Sequence, residues 1–439
     1  MRVGLIFYSR PVYTQKMIRL FLAAARLDQV GPFLLGALAF VGAFSRGGAN
    51  TVYSLMILWG LILWVLAALN RRSPHVGWPP LPPARWMVGL AVFALTWLVA
   101  ALAGDHPVAG LKALASQLYP LVLPFLVWPI FSRRPDFPAQ LRFLWGLGLV
   151  VAAALTFREG GYQLVCLRAK AYLGTIELGS ILGQLIPLMV AALLYALSVG
   201  RRRETAFFAL ALVAAGLALT QNCSRQTLLA APAISLLMFW AYWRHFNGKP
   251  WRRFLILIPV LTLALVTILP LTVGGDQRFL NTLKLEFGAG SEPASVILSE
   301  SETLRVDMWR LGWKTFMQHP LLGRGLGDSF DLALQSGEVE TVLHTHHVFI
   351  NVLAETGLLG FLGFLALHLA PLSLLWPHRR SRDPETFFWV WAALAVNLQL
   401  VLNGLTDQVF GIKTIMYIHW IVMAAALWQT QRPQKNMPE

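Results

Sequence analysis

Three histidines fall within four residues late in the chain, at His344, His346 and His347. They stand where a long polar stretch meets an apolar run. Imidazole exchanges a proton near neutral pH, so a histidine here can take the proton of a hydroxyl group. Two other interpretations stay open, because His344 and His347 could share a metal ion and the cluster could be filler at a membrane boundary. Neither an H-E-x-x-H pattern nor a neighbouring cysteine supports the metal site.

Four arginines accompany the histidines, each in a short motif of its own. A forked guanidinium suits phosphate oxygens, so these residues predict a site for a phosphate-bearing ligand. For Arg225, in Asn222-Cys223-Ser224-Arg225, the alternative is an internal salt bridge, for example to Asp407 or Glu177. The four are Arg168, Arg225, Arg305 and Arg324.

A glycine-rich turn follows one of these arginines, with the sequence His319-Pro320-Leu321-Leu322-Gly323-Arg324-Gly325-Leu326-Gly327. Glycine lets backbone amides approach an anion closely, which predicts an anion-binding turn. A plain turn explains the pattern equally well. The Lys-Ser/Thr pair of a P-loop is missing and no strand precedes the turn, which excludes nucleotide binding of that type.

The elements that position these residues are membrane helices. The 439-residue chain is 56% hydrophobic and 13% charged, whereas soluble domains average about 25% charged residues. Its apolar runs are long enough to cross the hydrocarbon layer. The sequence therefore predicts an all-α integral membrane protein with about 12 transmembrane helices. The predicted spans are 29–45, 52–69, 86–104, 115–132, 142–157, 178–199, 206–221, 227–243, 254–273, 347–376, 386–402 and 412–429.

Lysine and arginine indicate the orientation of these spans. With the N-terminus inside, 23 of the 36 basic residues fall on the inner side, and seven fall in the short outer loops. Both termini are therefore expected in the cytoplasm. We predict nine spans in residues 1–273, a large outer loop at 274–346 and three spans in 347–439. The net charge of +15 then reflects topology and contact with membrane lipids, not binding of nucleic acid.

The outer loop is expected to contain a helix of its own. Ser299 and Glu302 form a capping-box pattern, and Pro320 would stop a helix that ends near Gln318. Arg305 and Trp309 share one face of this helix with Gly312 and Phe316.

These motifs, in this order, resemble the O-antigen ligase family, which includes the ligase WaaL, the polymerase Wzy and bacterial protein O-oligosaccharyltransferases. Family members commonly have His-Asn where this chain has His346-His347, so the register favours His346 and leaves His344 and His347 as alternatives. The matching residues are Ser224-Arg225, Arg305, Trp309, Pro320, Gly323, Gly325, Gly327, His346, Ala354, Glu355, Thr356, Gly357 and Gly360.

The resemblance implies a GT-C-type membrane glycosyltransferase of the bacterial inner membrane, with its active site in the periplasm. Its donor would be O-antigen linked to undecaprenyl diphosphate, and its acceptor the lipid A-core oligosaccharide. We expect His346 to act on the acceptor hydroxyl, with Arg225 and Arg305 on the diphosphate. Arg168, Arg324, His344, His347 and Trp309 are expected to contact substrate.

No cofactor is expected. A D-x-D pair, the usual metal signature of sugar-diphosphate enzymes, is missing from the sequence, and Glu338-Val339-Glu340 is the nearest substitute. Arginines can supply the charge stabilisation instead, so a metal-independent inverting transfer is favoured. The polymerase and the protein transferase remain alternatives within the family. A lipid-linked sugar transporter is the alternative of another class, although the spans are nearly free of charge and show no repeat.

Overall fold

The computed structural model describes residues 27–69, 80–160, 171–222, 224–245, 300–327 and 345–432. Within these ranges the regular secondary structure is helical, and a single parallel bridge joins Ser45 to Tyr172. We number the α-helices in chain order. They are α1 (Leu27–Val41), α2 (Arg46–Leu69), α3 (Ala84–Ala103), α4 (Pro107–Leu118), α5 (Leu123–Arg133), α6 (Phe137–Gly160), α7 (Thr175–Ser198), α8 (Arg202–Asn222), α9 (Arg225–His245), α10 (Glu300–Gln318), α11 (Val348–Leu375), α12 (Pro384–Gly404) and α13 (Lys413–Gln431).

Nine helical segments of the described ranges are long and apolar enough to cross a membrane. The prediction of an all-α, multi-pass membrane protein is therefore confirmed. Eleven of the twelve predicted spans coincide with helices, and α4 and α5 together form one of them through a 3-10 turn at Tyr119–Val122. The span predicted at 254–273 lies outside the described residues, so the total of twelve stays a prediction.

Helix α7 forms the centre of the bundle. All its residues from Glu177 to Ala196 are buried, and it packs against α8, α9 and α12. Helices α2 and α3, in contrast, expose leucines such as Leu58 and Leu95. Lipid tails are as apolar as leucine, so these side chains need no protein partner in a bilayer.

Helices α3 and α11 approach each other through small residues. A Cβ atom at Gly89 would lie 2.8 Å from the carbonyl oxygen of Ala366. Further along the pair, the indole Nε1 of Trp97 donates a hydrogen bond to the carbonyl of Gly360 at 3.0 Å. Close backbone approach of this kind is typical of membrane helix pairs. The contact with α3 holds α11 in place, and α11 begins directly after His346 and His347.

Helix α11 is interrupted at Gly357, which has φ 61° and ψ −166°. A break in a helix leaves amides without their i−4 carbonyls, and these amides must find other acceptors. Here the amide of Leu358 donates to the carbonyl of Pro320 at 2.8 Å, and that of Leu359 to Leu321 at 3.1 Å. The glycine turn after α10 thus completes the interrupted helix.

The exchange of hydrogen bonds is reciprocal. The amides of Arg324 and Gly325 donate to the carbonyls of Ala354 and Glu355, both at 3.0 Å. Gly323 has φ 69°, and a Cβ atom there would collide with the Glu355 backbone. Both amides already have acceptors inside the protein, so neither is available to an anion, and this packing favours the plain-turn interpretation. The glycines instead allow two backbones to pack directly.

Candidate functional site at one end of the bundle

Side chains singled out in the sequence gather at one end of the bundle. Helices α7, α9, α11 and α13 begin there, and α8 and α12 end there. Short contacts join these ends: Asn222 Nδ2 donates to the carbonyl of Thr175 at 2.9 Å, and Thr227 Oγ1 to that of Gly179 at 2.7 Å. We call this the site end.

His346 lies at the site end in a left-handed backbone conformation, with φ 52°. Such a conformation costs a non-glycine residue about 1–3 kcal/mol and is common where a side chain must be aimed at a site. Its ring Nδ1 lies 3.3 Å from Oδ1 of Asp407, in the loop between α12 and α13. The His346 side chain is 28% exposed and that of Asp407 only 4%. A carboxylate on Nδ1 selects the tautomer in which Nε2 can accept a proton.

His347 has a different environment. His347 is the N-cap of α11, and its Nδ1 accepts a hydrogen bond from the amide of Ile350 at 3.3 Å. Its ring also contacts the Trp309 ring edge to face, with 5.6 Å between centroids. Burial lowers the pKa of His347 below its usual value, and a hydrogen bond with its own backbone partly opposes this. A neutral ring is required here, because a protonated Nδ1 could not accept the amide.

Two buried side chains shape the turn that carries both histidines. The hydroxyl of Thr345 donates to the carbonyl of His347 at 2.9 Å, and the amide of Thr345 donates to Oδ1 of Asn351 at 3.4 Å. These bonds bring the turn back onto the first turn of α11. They hold His346 in its strained conformation.

Helix α10 lies against this turn. Its end at Gln318 confirms the predicted stop before Pro320, while Ser299 lies outside the described residues. A Cβ atom at Gly312 would lie 2.7 Å from side-chain atoms of both Thr345 and Ile350, so only glycine allows this approach. Trp309 lies one turn earlier and meets His347.

Arg305 lies a further turn back on the same face and is partly exposed. Among the described residues no carboxylate pairs with it. A basic side chain without a carboxylate partner beside a cluster of polar groups is available to an anionic ligand.

Arg324 has a partner of its own. Its Nε lies 3.3 Å from Oδ2 of Asp105, in the loop between α3 and α4, and its side chain is mostly buried. The pair ties the glycine turn to the α3–α4 corner. This contact gives Arg324 a structural task alongside the substrate contact predicted for it.

Arg225 is the first residue of α9, but its side chain lies outside the described atoms, as do Arg168 and His344. The helix start itself is defined. The carbonyl of Ser224 accepts the amide of Leu228 at 2.9 Å, and Gly183 packs between Thr227 and Gln399 of α12. Arg225 therefore begins its helix next to the helix that leads to Asp407. Glu177, an alternative partner for Arg225, is bound by Arg46 and Thr414.

A groove with a cavity volume of about 100 Å³ opens between α11 and α12 next to the histidine pair. Val348 and Phe349 form one end of it, and His368 and Asn397 lie in its wall with an otherwise apolar lining. This volume is smaller than that of a typical ligand pocket, so the groove accepts only a short apolar segment.

Asp407 is the site residue whose role sequence reasoning missed. The sequence suggests Asp407 only as a salt-bridge partner of Arg225, whereas in the structure the α12–α13 loop brings it to His346, just before α11. One sequence signal existed, because Asp407 is the single acidic residue between α12 and α13. Its oxygen Oδ1 also accepts the amide of Gln408 at 2.8 Å, which orients the carboxylate.

Residues 208–365 match the family model described as O-Antigen ligase (Wzy_C). The matched stretch runs from α8 to the middle of α11 and includes Arg225, Arg305 and His346. The predicted resemblance to the O-antigen ligase family is confirmed over this stretch. The O-antigen ligase of Pseudomonas aeruginosa PAO1 is 26% identical over 145 residues, which is 31% of this chain and 33% of that protein.

The chain thus spans about a third of the length of the curated relative it matches. The matched segment contains the glycine turn, the break in α11 at Gly357, and the two histidines just before α11, His346 and His347. Asp407 and α12 lie beyond it, so the partner of His346 and one wall of the groove come from outside the matched segment.

Proposed function

We propose that this protein is an O-antigen ligase, a membrane glycosyltransferase that moves O-antigen polysaccharide from undecaprenyl diphosphate to the lipid A-core oligosaccharide. The family match over residues 208–365 supports the class of enzyme. The donor and acceptor are inferred from the family resemblance. The active site would face the periplasm of the bacterial inner membrane, with both termini in the cytoplasm.

The observation that carries the proposal is the contact between His346 and Asp407. With Nδ1–H donating to the carboxylate, Nε2 takes the proton of the acceptor hydroxyl. The hydroxyl oxygen then forms a bond to the anomeric carbon while the bond from that carbon to the diphosphate oxygen breaks. The electron pair leaves on the diphosphate. A single displacement of this kind inverts the anomeric configuration.

The leaving diphosphate needs positive charge. Arg305 is available on the face of α10 that carries Trp309, and Arg225 begins α9 beside α12. Together with Arg168 they would neutralise the diphosphate, with no divalent cation required. Trp309 and His347 form part of the wall of the site. Arg324, bonded to Asp105, positions the glycine turn.

The groove between α11 and α12 suits the first part of the donor's lipid chain, next to the diphosphate. It begins beside the histidine pair and its lining is nearly all apolar. An isoprenoid chain in the groove would place its diphosphate at the site end, near the polar side chains of His346 and Arg305.

The direct test is a reconstituted transfer assay with purified protein, lipid-linked O-antigen and lipid A-core. His346→Ala should lower transfer by at least about 100-fold, the usual contribution of a general base. His378→Ala, at the opposite end of the bundle, is the matched control and should transfer normally. Full activity of His346→Ala would contradict the assignment.

Inactivating the gene separates the family members. Loss of all O-antigen from lipopolysaccharide, with lipid-linked polymer accumulating, supports the ligase. A core that carries a single repeat supports the polymerase. Unchanged lipopolysaccharide supports protein glycosylation or transport of lipid-linked sugars.

A further inference from the structure

Helix α10 exposes an apolar flank that its contact with α11 leaves uncovered. Trp313, Met317 and Leu321 are 51%, 62% and 70% exposed. They follow one another at helical spacing, with Leu321 in the turn just after the helix. The flank adjoins the buried face around Gly312, since successive residues of a helix are about 100° apart. Exposed apolar stripes of this kind mark interaction surfaces.

This stripe continues onto a membrane-crossing helix. The carbonyl of Leu321 accepts the amide of Leu359 at 3.1 Å. Leu358, Leu359 and Leu362 are exposed large apolar side chains of α11, within the segment Val348–Arg380 that is long and apolar enough to span a bilayer. The exposed apolar surface of α10 therefore runs into a surface that lipid tails would cover.

Basic side chains lie along one edge of the stripe, since at about 100° per residue Arg310 projects between Met317 and Lys314. Arg310 and Lys314 are exposed, one turn apart and next to the apolar flank. Arg310 pairs with Asp307 at 3.2 Å, and among the described residues no carboxylate pairs with Lys314. An apolar stripe bordered by basic residues is the pattern of helices that lie in the interface of an anionic membrane.

We infer that α10 lies in the membrane interface, with Trp313, Met317 and Leu321 at the edge of the hydrocarbon and Arg310 and Lys314 among the lipid phosphates. The partner is the anionic lipid surface itself. Tryptophan and lysine at this depth match the residue types enriched at membrane interfaces. The inference stands independently of the proposed reaction.

The consequence concerns depth. Arg305 and Trp309 lie on the face of α10 that packs toward α11. Seating the adjoining apolar flank in the interface would hold these residues, and the histidine turn they contact, at the level of the headgroups. Any ligand of the site end with a lipid anchor would then enter sideways from the membrane.

Spin-label accessibility in nanodiscs tests this placement. A nitroxide is attached at Met317→Cys or, in a second variant, at Leu321→Cys, in full-length protein with Cys166→Ser and Cys223→Ser. Asp307→Cys, on the polar side of the same helix, is the matched control. Relaxation is measured with oxygen, which concentrates in lipid, and with a water-soluble nickel chelate.

We expect high oxygen and low nickel accessibility for the labels at positions 317 and 321, and the reverse at position 307. High nickel accessibility at 317 and 321 would show a water-exposed helix and overturn the inference. Low accessibility to both reagents would show that another part of the chain or a second copy covers the stripe, which also overturns it.

The charged border has its own test. In nanodiscs of phosphatidylcholine with phosphatidylglycerol, the label at position 317 should lie deeper than in phosphatidylcholine alone. Substituting both Arg310→Gln and Lys314→Gln should remove this difference. A depth that does not respond to lipid charge would overturn the anionic part of the inference.

Discussion

At each end of the bundle a basic side chain lies close to an acidic one, and the two pairs have about the same separation. At the site end, His346 Nδ1 lies 3.3 Å from Asp407, and at the other end Arg142 Nη2 lies 3.3 Å from Glu385. Their surroundings differ. The Arg142 guanidinium lies over the Tyr195 ring at 4.4 Å and is fully buried. The His346 side chain is partly exposed, on a strained backbone.

The difference separates a structural pair from a pair that is able to react. Arg142 joins α6 to α7 and α12, and Trp389 donates a further bond to Glu385 at 3.0 Å. A substrate could reach it only if the helices moved apart. His346 is held by one carboxylate and left accessible, which suits proton transfer.

Asp407→Asn is the strongest test of the difference between the two pairs. An amide in place of the carboxylate no longer selects the tautomer of His346, so kcat for transfer should fall by about 100-fold or more. The KM for the lipid-linked donor should stay unchanged, since the diphosphate contacts remain. Steady-state kinetics of the reconstituted protein measure both.

Glu385→Gln is the matched change at the other end. It leaves Arg142 buried with its charge uncompensated, which should cost about 3 kcal/mol of stability. Protein that survives purification should transfer at the normal rate. If Asp407→Asn lowered stability instead, and Glu385→Gln lowered kcat, the two pairs would have exchanged roles.

Gly357→Ala probes the packing that positions the site end. Its φ of 61° strains an alanine, and the new Cβ would collide with the Leu321 carbonyl. We expect a cost of about 1–3 kcal/mol and faster hydrogen exchange at the amides of Arg324, Gly325, Leu358 and Leu359. Gly47→Ala, with open space around it, is the control and should leave exchange unchanged.

His347 tests whether adjacent histidines have separate tasks. His347→Ala removes the N-cap of α11 and should cost about 1 kcal/mol, whereas His347→Asn should restore most of this. The lowered pKa of His347 means that its contribution is complete above pH 6.5, the unperturbed value, and is lost as the pH falls through the folded pKa. Thermal unfolding between pH 8 and 5 should show this loss in the wild type only. A pH dependence that persists in His347→Asn would contradict the cap.

Arg324→Gln should have the smallest effect. Its pair with Asp105 is partly exposed and worth less than about 1 kcal/mol, so stability and transfer should both change little. A large rise in the KM for the donor would support the substrate contact predicted for Arg324, provided that Asp105→Asn does not cause the same rise.

Much of the architecture could be read from the chain. Membrane helices are predictable because the length of an apolar run is a local property, and α10 ends where Pro320 requires. The order of motifs led to the family and to His346, Arg225 and Arg305. The sequence predicts the glycine turn but not its structural role, because the carbonyls that accept its amides lie about thirty residues further along the chain.

The sequence by itself determined the membrane helices, the loop helix and the candidate residues, because these depend on neighbouring residues and on residue chemistry. Only the tertiary structure decided which groups meet. It paired His346 with Asp407, 61 residues apart, assigned the adjacent His347 to a helix cap, and closed the break at Gly357 with the glycine turn. Those contacts depend on how distant segments fold together, and an isolated sequence does not contain the distances between them.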